Sequence, residues 1–582
     1  METKYLAVIK KYEAEIATNS KTSNRLGYAK LLAFLFLLVS CVILFASGFA
    51  PAAVAATVIL FGMCVWLWVW HYRLDTTIQY AQGIVLICNR HLDRINGNWA
   101  SFDDAGREFI DSSHHYANDL DIVGAKSVFQ FLNTTHTWHG RQAFAGDLLQ
   151  PRYSAEEITQ RQAAIEELST DINFTNNMEY YLMQIGKNQP DVTNLANHQP
   201  FLRSQFWRFT LCYIPVVTVV LLLAGLIFQM QGVIAAGLAV LVLQVALGKI
   251  VGGNAWEYLK PVGKHKLGKY VQVINTIKGR EFACDKLNQI KQQLAVAAEA
   301  VQALEKISNR LNFIANPVIY FVLDWLLLWN IHAALLLERW KIKYAHMCSE
   351  WFAAIGEFES LAAFSHLPNV CEGVCLPQLV ATPGGFAAEG IGHPLLANGK
   401  RVCNDVNFNG NIFIISGSNM SGKTTFMRTV GVNLLLARTG SFVCATKMTC
   451  SLFNIVTSMR IADDLNQGVS TFYAELTRIK LILDTVEERT IFLIDEIFKG
   501  TNSVDRLAGA DAVITKLEAM GAVGMVSTHD LELCKLADIH SRILNLNFSE
   551  HYKNGKIYFD YTLRTGQSQT TNARFLMEMI GL

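Results

Sequence analysis

The sequence predicts an α/β P-loop nucleotide-binding domain at the C-terminal end, preceded by an all-α region that carries two transmembrane helical hairpins. Three observations predict it: four uncharged apolar runs of membrane-spanning length, amphipathic periodicity around and after them, and a glycine loop set between a short apolar strand and a helix.

The chain has 582 residues, more than one hydrophobic core usually supports, so at least two soluble units are expected besides anything in lipid. With 51% apolar and only 17% charged residues, and a mean hydropathy of +0.23, part of the chain belongs in a bilayer. Fifty basic residues against 49 acidic ones leave a net charge of +1, which excludes a global field that would gather nucleic acid. Any DNA contact is then local. The 12 cysteines lack the spacing of a secreted disulfide framework and read as free thiols of a reducing compartment. Cys371 and Cys375 lie close together, but no second Cys/His pair at zinc spacing accompanies them, and no structural metal is expected there.

The first hairpin is expected from Leu31 to Ala50 and from Ala52 to Trp70, turning at Gly48 and Pro51. The second is expected from Phe209 to Phe228 and from Gly232 to Gly248, joined by Gln229-Met230-Gln231. Basic residues flank the outer ends of both pairs, Lys21, Arg25, Lys30 and Arg73 around the first and Arg203, Arg208, Lys249 and Lys260 around the second. The positive-inside rule therefore puts all four outer ends in the cytoplasm. A long polar N-terminus and an immediate second span favour an anchor over a cleaved signal peptide. A fifth apolar run, Val318 to Leu337, contains Asp324, Asn330 and His332, and is expected to be a buried soluble helix rather than a span.

Around these runs the chain divides into residues 1–30, a cytoplasmic segment; 31–73, the first hairpin; 74–200, a linker and the start of a helical core; 201–250, the second hairpin; 251–375, the rest of that core; and 376–582, the nucleotide domain. Helical patterning appears around Ile158 to Leu168. Between Leu287 and Leu311 apolar residues recur at spacings of three, four and seven, predicting one long lever-like helix.

The nucleotide site is the most specific signal. Asn411 to Ser416 is a short apolar strand, followed by Gly417-Ser418-Asn419-Met420-Ser421-Gly422-Lys423-Thr424-Thr425 and a helix beginning near Phe426. This is G-x-x-x-x-G-K-[ST] in its required context, where glycines aim backbone N–H groups at the phosphates of ATP. Lys423 is expected to reach the β- and γ-phosphates and Thr424 to offer its hydroxyl to Mg²⁺. A second strand, Thr490 to Ile494, delivers Asp495 to hold Mg²⁺ and Glu496 to act as general base. A third, Ala522 to Ser527, ends in Thr528-His529-Asp530 and places His529 as a γ-phosphate sensor.

The stretch GSNMSGKTTFMRTVGVNLLLARTGSFVCA resembles the P-loop segment of MutS-type mismatch-repair ATPases. Residues 463–472 resemble that family's signature stretch, FLIDEIFKGTNSVDR its Walker B and following loop, and STHD its histidine switch. Upstream, NDLDIVGAKSVFQFLNTTHTWHGRQ is similar to the opening of the lever domain, and GHPLL with Asn404-Asp405 to the lead-in of the ATPase. The resemblance implies an ABC/MutS-like ATPase domain behind an all-α lever/core region. It also implies a Mg²⁺-dependent ATP hydrolase working as a homodimer, with Ser470 of one subunit approaching the nucleotide of the other.

Departures from the family pattern bear on the partner. A membrane hairpin stands where the family carries its mismatch-reading Phe-x-Glu wedge, the second hairpin interrupts the lever region, and no helix-turn-helix tail is seen before Leu582. The leading expectation is an ATPase at the cytoplasmic face of the inner membrane, multi-pass through four spans, that engages mismatched or branched DNA duplex. An ABC-type transporter with fused domains remains open, although GVSTFYAEL stands where LSGGQ is expected, and so does an ATP-switched membrane scaffold without nucleic acid. Lys260, Lys264, Lys266 and Lys269 are expected to meet lipid headgroups more than DNA.

Overall fold

The computed structural model describes residues 1–48, 50–187, 200–202, 204–253, 255, 257–259, 267–312, 317–381, 384–460, 471–487, 489–498, 503–553 and 556–568. An all-helical N-terminal region precedes a mixed α/β region. In space the chain forms two compact units, one of residues 1–133, 147–180 and 363–582, the other of residues 134–146 and 181–362.

The first unit begins with two long helices, α1 (Glu2–Ala46) and α2 (Pro51–Asn96), of 45 and 46 residues. Pro51 at the first turn suits the start of α2, since its missing N–H would find no partner there. Gly97 ends the helix in the left-handed conformation at φ 81°. The helices pack side by side through Ser40–Thr57 at 2.7 Å and Ser23–Asp75 at 2.9 Å. Apolar side chains cover the rest of this stretch, Phe36 being 61% and Phe61 60% exposed. Among the described residues, four helices are long and apolar enough to cross a membrane: these two and a pair in the second unit. Both N-terminal helices run well beyond the apolar stretches. At 1.5 Å per residue each is about 68 Å long, against about 30 Å of hydrocarbon. The excess is held by local packing, with Tyr5 stacked on His91 at 5.0 Å between centroids.

The second unit carries the other apolar pair, α3 (Gln205–Ile227) and α4 (Gln231–Gly252). Their close approach needs glycine: a Cβ on Gly225 would stand 2.6 Å from Ile234, and one on Gly237 2.8 Å from Leu222. Two expectations fail here. The long lever-like helix is instead α5 (Asp285–Gln293) and α6 (Ala297–Asn312). Lys278 Nζ donates to the Ala295 carbonyl at 2.7 Å and takes it out of a continuous ladder. The apolar run from Val318 is also not one buried helix, because it breaks at Leu328 (φ 48°) into α7 (Pro317–Leu327) and α8 (Trp329–Tyr344). Asp324 Oδ1 accepts the Asn330 N–H at 3.0 Å and so caps the new helix, while Val322 and Trp325 stay 57% and 45% exposed.

Among the described residues, the α/β region of the first unit contains ten strands: β1 (Gln378–Leu379), β2 (Phe386–Ile391), β3 (Asn404–Asn407), β4 (Ile412–Ser416), β5 (Lys447–Cys450), β6 (Asn454–Ser458), β7 (Thr490–Asp495), β8 (Val523–Thr528), β9 (Ile543–Lys553) and β10 (Lys556–Thr565). A four-stranded sheet has the order β1-β5-β2-β3, and a six-stranded sheet the order β10-β9-β4-β8-β7-β6. In the larger sheet the β10–β9 edge is antiparallel and the other described pairings are parallel. Buried on both faces, its parallel strands are near-continuous apolar runs. Ile412, Ile414, Phe492, Ile494 and Val526 form a core with Ile514 and Leu517 of a covering helix. Helices α10 (Thr471–Thr485) and α11 (Ser503–Ala519) complete this layer, whereas α9 (Lys423–Arg438) meets Leu493, on the other face of β7, at Gly431.

Candidate nucleotide site

Register brings the three sequence signals to one edge. Strands β4, β7 and β8 run parallel and end together, Ser416 lying opposite Thr528 and Asp495 opposite Ser527. The Gly417 loop, the Asp495-Glu496 pair and His529 therefore leave the sheet side by side at its carboxyl end, where open α/β sheets bind ligands.

The loop between β4 and α9 has positive φ at Gly417 (151°), Met420 (72°) and Gly422 (106°). A Cβ on Gly417 would stand 2.7 Å from the Phe548 carbonyl oxygen and 2.9 Å from Ser421 Oγ, so the first glycine is required by space as well as by conformation. Lys423 is buried, its Nζ donating to the carbonyls of Gly417 at 2.6 Å and Ser418 at 2.8 Å. The Ser418 and Ser421 hydroxyls are buried and, among the described residues, have no hydrogen-bond partner. Asn419, Met420, Gly422, Thr424 and Thr425 line a cavity of 420 Å³ that Glu496 also reaches.

Thr424 Oγ1 donates to Asp495 Oδ2 at 2.8 Å, joining the loop to the end of β7. The Ser527 hydroxyl holds the other Asp495 oxygen, and the Glu496 N–H meets Ser527 Oγ at 3.2 Å. Glu496 sits at φ 52°, a left-handed conformation that costs a non-glycine residue about 1–3 kcal/mol and gathers at functional sites. His529 is half exposed, its Nδ1 3.8 Å from Glu496 Oε1, and neighbouring Asp530 meets Arg506 at 3.4 Å. Ser470 and most of residues 463–472 lie outside the described residues, as do Lys260, Lys264 and Lys266.

Several cavity residues were given no role in the site from sequence. His393 belongs to the Gly-His-Pro lead-in; burial, with Arg428 and Arg401 adding to it, pushes its pKa down to about 3, so it faces the cavity neutral. Asn404 follows the same lead-in and ties the strands together, its Oδ1 accepting the Leu563 N–H at 2.7 Å and its Nδ2 donating to the Tyr561 carbonyl at 3.1 Å. Phe548 and Tyr561 reach the cavity from β9 and β10, and nothing in their local sequence marks them. Behind the loop, Arg428 of α9 pairs with Asp121 at 3.0 Å, and Asp121 also holds Arg460 at 2.6 Å. Asp119 accepts from the N–H groups of Met459 and Arg460, so the segment before the second unit is built into the nucleotide domain.

A separate buried group, His91, Glu179 and His366, has metal-ligand residue types. Arg94 lies 3.4 Å from His91 Nδ1 and already supplies a cation there, and none of these residues lines the cavity.

Residues 413–581 match the family model of MutS domain V. The DNA mismatch repair protein MutS of Shouchella clausii is 33% identical over 238 residues, 40% of this chain and 27% of that protein. The chain thus spans only about a quarter of the length of that relative. What the match and the helices establish together is a MutS-family ATPase-like domain fused to an all-helical region with several long apolar helices.

Proposed function

We propose that this protein is a membrane-anchored, Mg²⁺-dependent ATP hydrolase of the MutS type that couples ATP turnover to engagement of mismatched or branched DNA duplex. The observation that carries the reading is the meeting of Thr424 and Asp495 at 2.8 Å beneath the glycine loop, with Glu496 next in the chain. The donor set fits ATP and Mg²⁺ on two further grounds. The Ser418 and Ser421 hydroxyls, without a partner among the described residues, are buried donors suited to phosphate oxygens, and the Thr424 hydroxyl with the Asp495 carboxylate offers the hard oxygens that Mg²⁺ prefers.

In this reading the N–H groups from Gly417 to Thr425 bind phosphate oxygens at the start of α9, where the helix dipole favours negative charge. Lys423 exchanges its bonds to the loop carbonyls for the β- and γ-phosphates. Thr424 and Asp495 hold Mg²⁺, which when bound draws charge from the phosphate oxygens. Glu496 orients the attacking water and takes its proton at the carboxylate, while His529 beside it senses the γ-phosphate. Ser470 of a partner protomer completes each site in a homodimer. Flanking basic residues support an inner-membrane anchor with the ATPase in the cytoplasm. DNA enters as the partner class because the matched relative is a mismatch repair protein by name.

ATP hydrolysis by the detergent-solubilised full chain tests the site. Lys423→Ala is expected to lower turnover by about 10²–10³-fold, the scale of losing one charge-stabilising donor; undiminished turnover overturns the assignment. Mixing Ser470→Ala with Glu496→Ala subunits is expected to restore activity that neither homodimer has. Salt-dependent binding to homoduplex, mismatched and branched DNA tests the partner separately. No binding to any of them at low salt removes DNA and leaves the ATPase standing.

A further inference from the structure

A second cavity, of 540 Å³, lies wholly within the second unit, between α3 and the start of α8. Its size falls in the range of ligand pockets, about 300–1,000 Å³. Val216, Val219 and Val220 of α3 form one wall and Leu336 of α8 is part of the other, whereas its charge comes from Arg310 and its other polar faces include His332 and Trp329. Among the described residues no carboxylate lines it. Arg310 is exposed and, among the described residues, has no ion-pair partner.

The walls are fixed from behind. Gln244 of α4, fully buried, donates its Nε2 to the carbonyls of Trp325 at 2.7 Å and Leu326 at 3.0 Å, and Thr218 of α3 bonds Gln244 Oε1 at 2.7 Å. The Trp329 indole donates to the Arg310 carbonyl at 3.0 Å, holding the end of α6 at the rim. The apolar wall is continuous with the membrane-facing surface, since Val216 and Val220 line the groove and yet remain 57% and 58% exposed. An occupant with an alkyl chain can therefore enter from the hydrocarbon itself, without crossing water. The unpaired guanidinium selects a phosphate, and the lack of a carboxylate leaves nothing to receive the ammonium of a zwitterionic headgroup.

We propose that this groove binds one anionic phospholipid, an acyl chain lying against Val216, Val219 and Val220 and the phosphate meeting Arg310.

Native mass spectrometry of the full chain released from bilayer discs, containing phosphatidylcholine alone or mixed with phosphatidylglycerol, tests this directly. The expected result is one retained phosphatidylglycerol per chain, preferred over phosphatidylcholine. Arg310→Ala should weaken that preference by about tenfold, the loss expected for one charge-assisted hydrogen bond, and Arg310→Lys should recover part of it. Val220→Trp, which fills the groove, should release lipids of both headgroups. Equal retention of the two lipids by the wild-type protein, or a preference untouched in Arg310→Ala, overturns the proposal. Release of the bound lipid by millimolar inorganic phosphate alone overturns the acyl-chain part, because a free anion would then suffice. Unchanged melting temperature and nucleotide binding in Arg310→Ala show that the variant is folded, and that control does not depend on Val220→Trp.

Discussion

The nucleotide edge of the large sheet and the centre of the α3–α4 pair both bury polar side chains, but they treat them in opposite ways. Between the apolar helices the polar groups close on one another: Thr218 bonds Gln244, and Gln244 satisfies two carbonyls at the end of α7. Around the glycine loop two of them stay open. Among the described residues Ser418 and Ser421 have no partners, while Lys423 rests on the carbonyls of its own loop and Glu496 is held in a strained conformation. A closed polar chain in an apolar setting is a structural device, since an unmade hydrogen bond there is costly. Open groups converging on a cavity are poised for something that arrives.

The sharpest way to break this comparison is Glu496→Gln. If Glu496 is the general base, the amide keeps the shape of the site but cannot take the proton, and turnover should fall by about 10²–10⁴-fold while ATP binding survives. A steady-state assay with a fluorescent-nucleotide titration separates the two effects. Loss of binding together with turnover would make Glu496 a structural residue like Gln244.

The contrast also accounts for what could be read from sequence. The runs at Ile412 and Thr490 declare themselves as strands because burial on both faces makes them apolar throughout, and the spacing from Gly417 to Thr424 is dictated by the shape of a phosphate group. The apolar cores of α1 to α4 are legible for the same reason, as hydrocarbon demands unbroken runs. Their polar extensions are not, because contacts such as Tyr5 on His91 join residues far apart in the chain. The break between α5 and α6 escapes a reading of periodicity, since the Lys278 ammonium that captures the Ala295 carbonyl comes from an earlier helix. Phe548 and Tyr561 reach the cavity only through the pairing of β9 and β10 with the rest of the sheet, and strand pairing leaves no local mark. Asp324 misleads in a different way: its charge argues for a soluble buried helix, yet its carboxylate is used to cap α8 at the break.

Buried histidines of the first unit extend the comparison to protons. Burial is the leading cause that lowers the pKa of His393 to about 3 and of His366 to about 4, against 6.5 for the free side chain. Above pH 6.5 both states of the protein hold these rings neutral and stability is full. Below it the unfolded chain binds protons that the folded chain refuses, so stability declines as pH falls toward 4. At pH 5.5 each ring should cost about 1.4 kcal/mol, and the pair about 3 kcal/mol. Chemical denaturation at pH 7.5 and 5.5 checks the sign and the size, and His366→Gln should remove one ring's share, about 1.4 kcal/mol, of a difference to which His91 and His139, their pKa also lowered by burial, contribute. Stability that rises on acidification would mean that these rings find anionic partners in the folded protein.

The smallest effect is expected where the polar chain is closed. Replacing Gln244 with Leu removes the donor to the Trp325 and Leu326 carbonyls but leaves Thr218 its second bond, to Ile214 at 3.0 Å. Hydrogen bonds between membrane helices average about 0.6 kcal/mol, so the loss of three, two donated by Gln244 and one accepted from Thr218, should lower stability by about 1–2 kcal/mol rather than abolish folding. Nucleotide affinity should not change, because Gln244 satisfies groups within the second unit and presents nothing to ATP. A thermal scan in detergent beside a nucleotide titration measures both quantities. A lowered melting temperature with intact ATP binding fits a structural device. Weakened ATP binding without loss of stability would instead make Gln244 part of a switch that links the apolar helices to the nucleotide, and the division between closed and open polar groups would no longer sort structure from function.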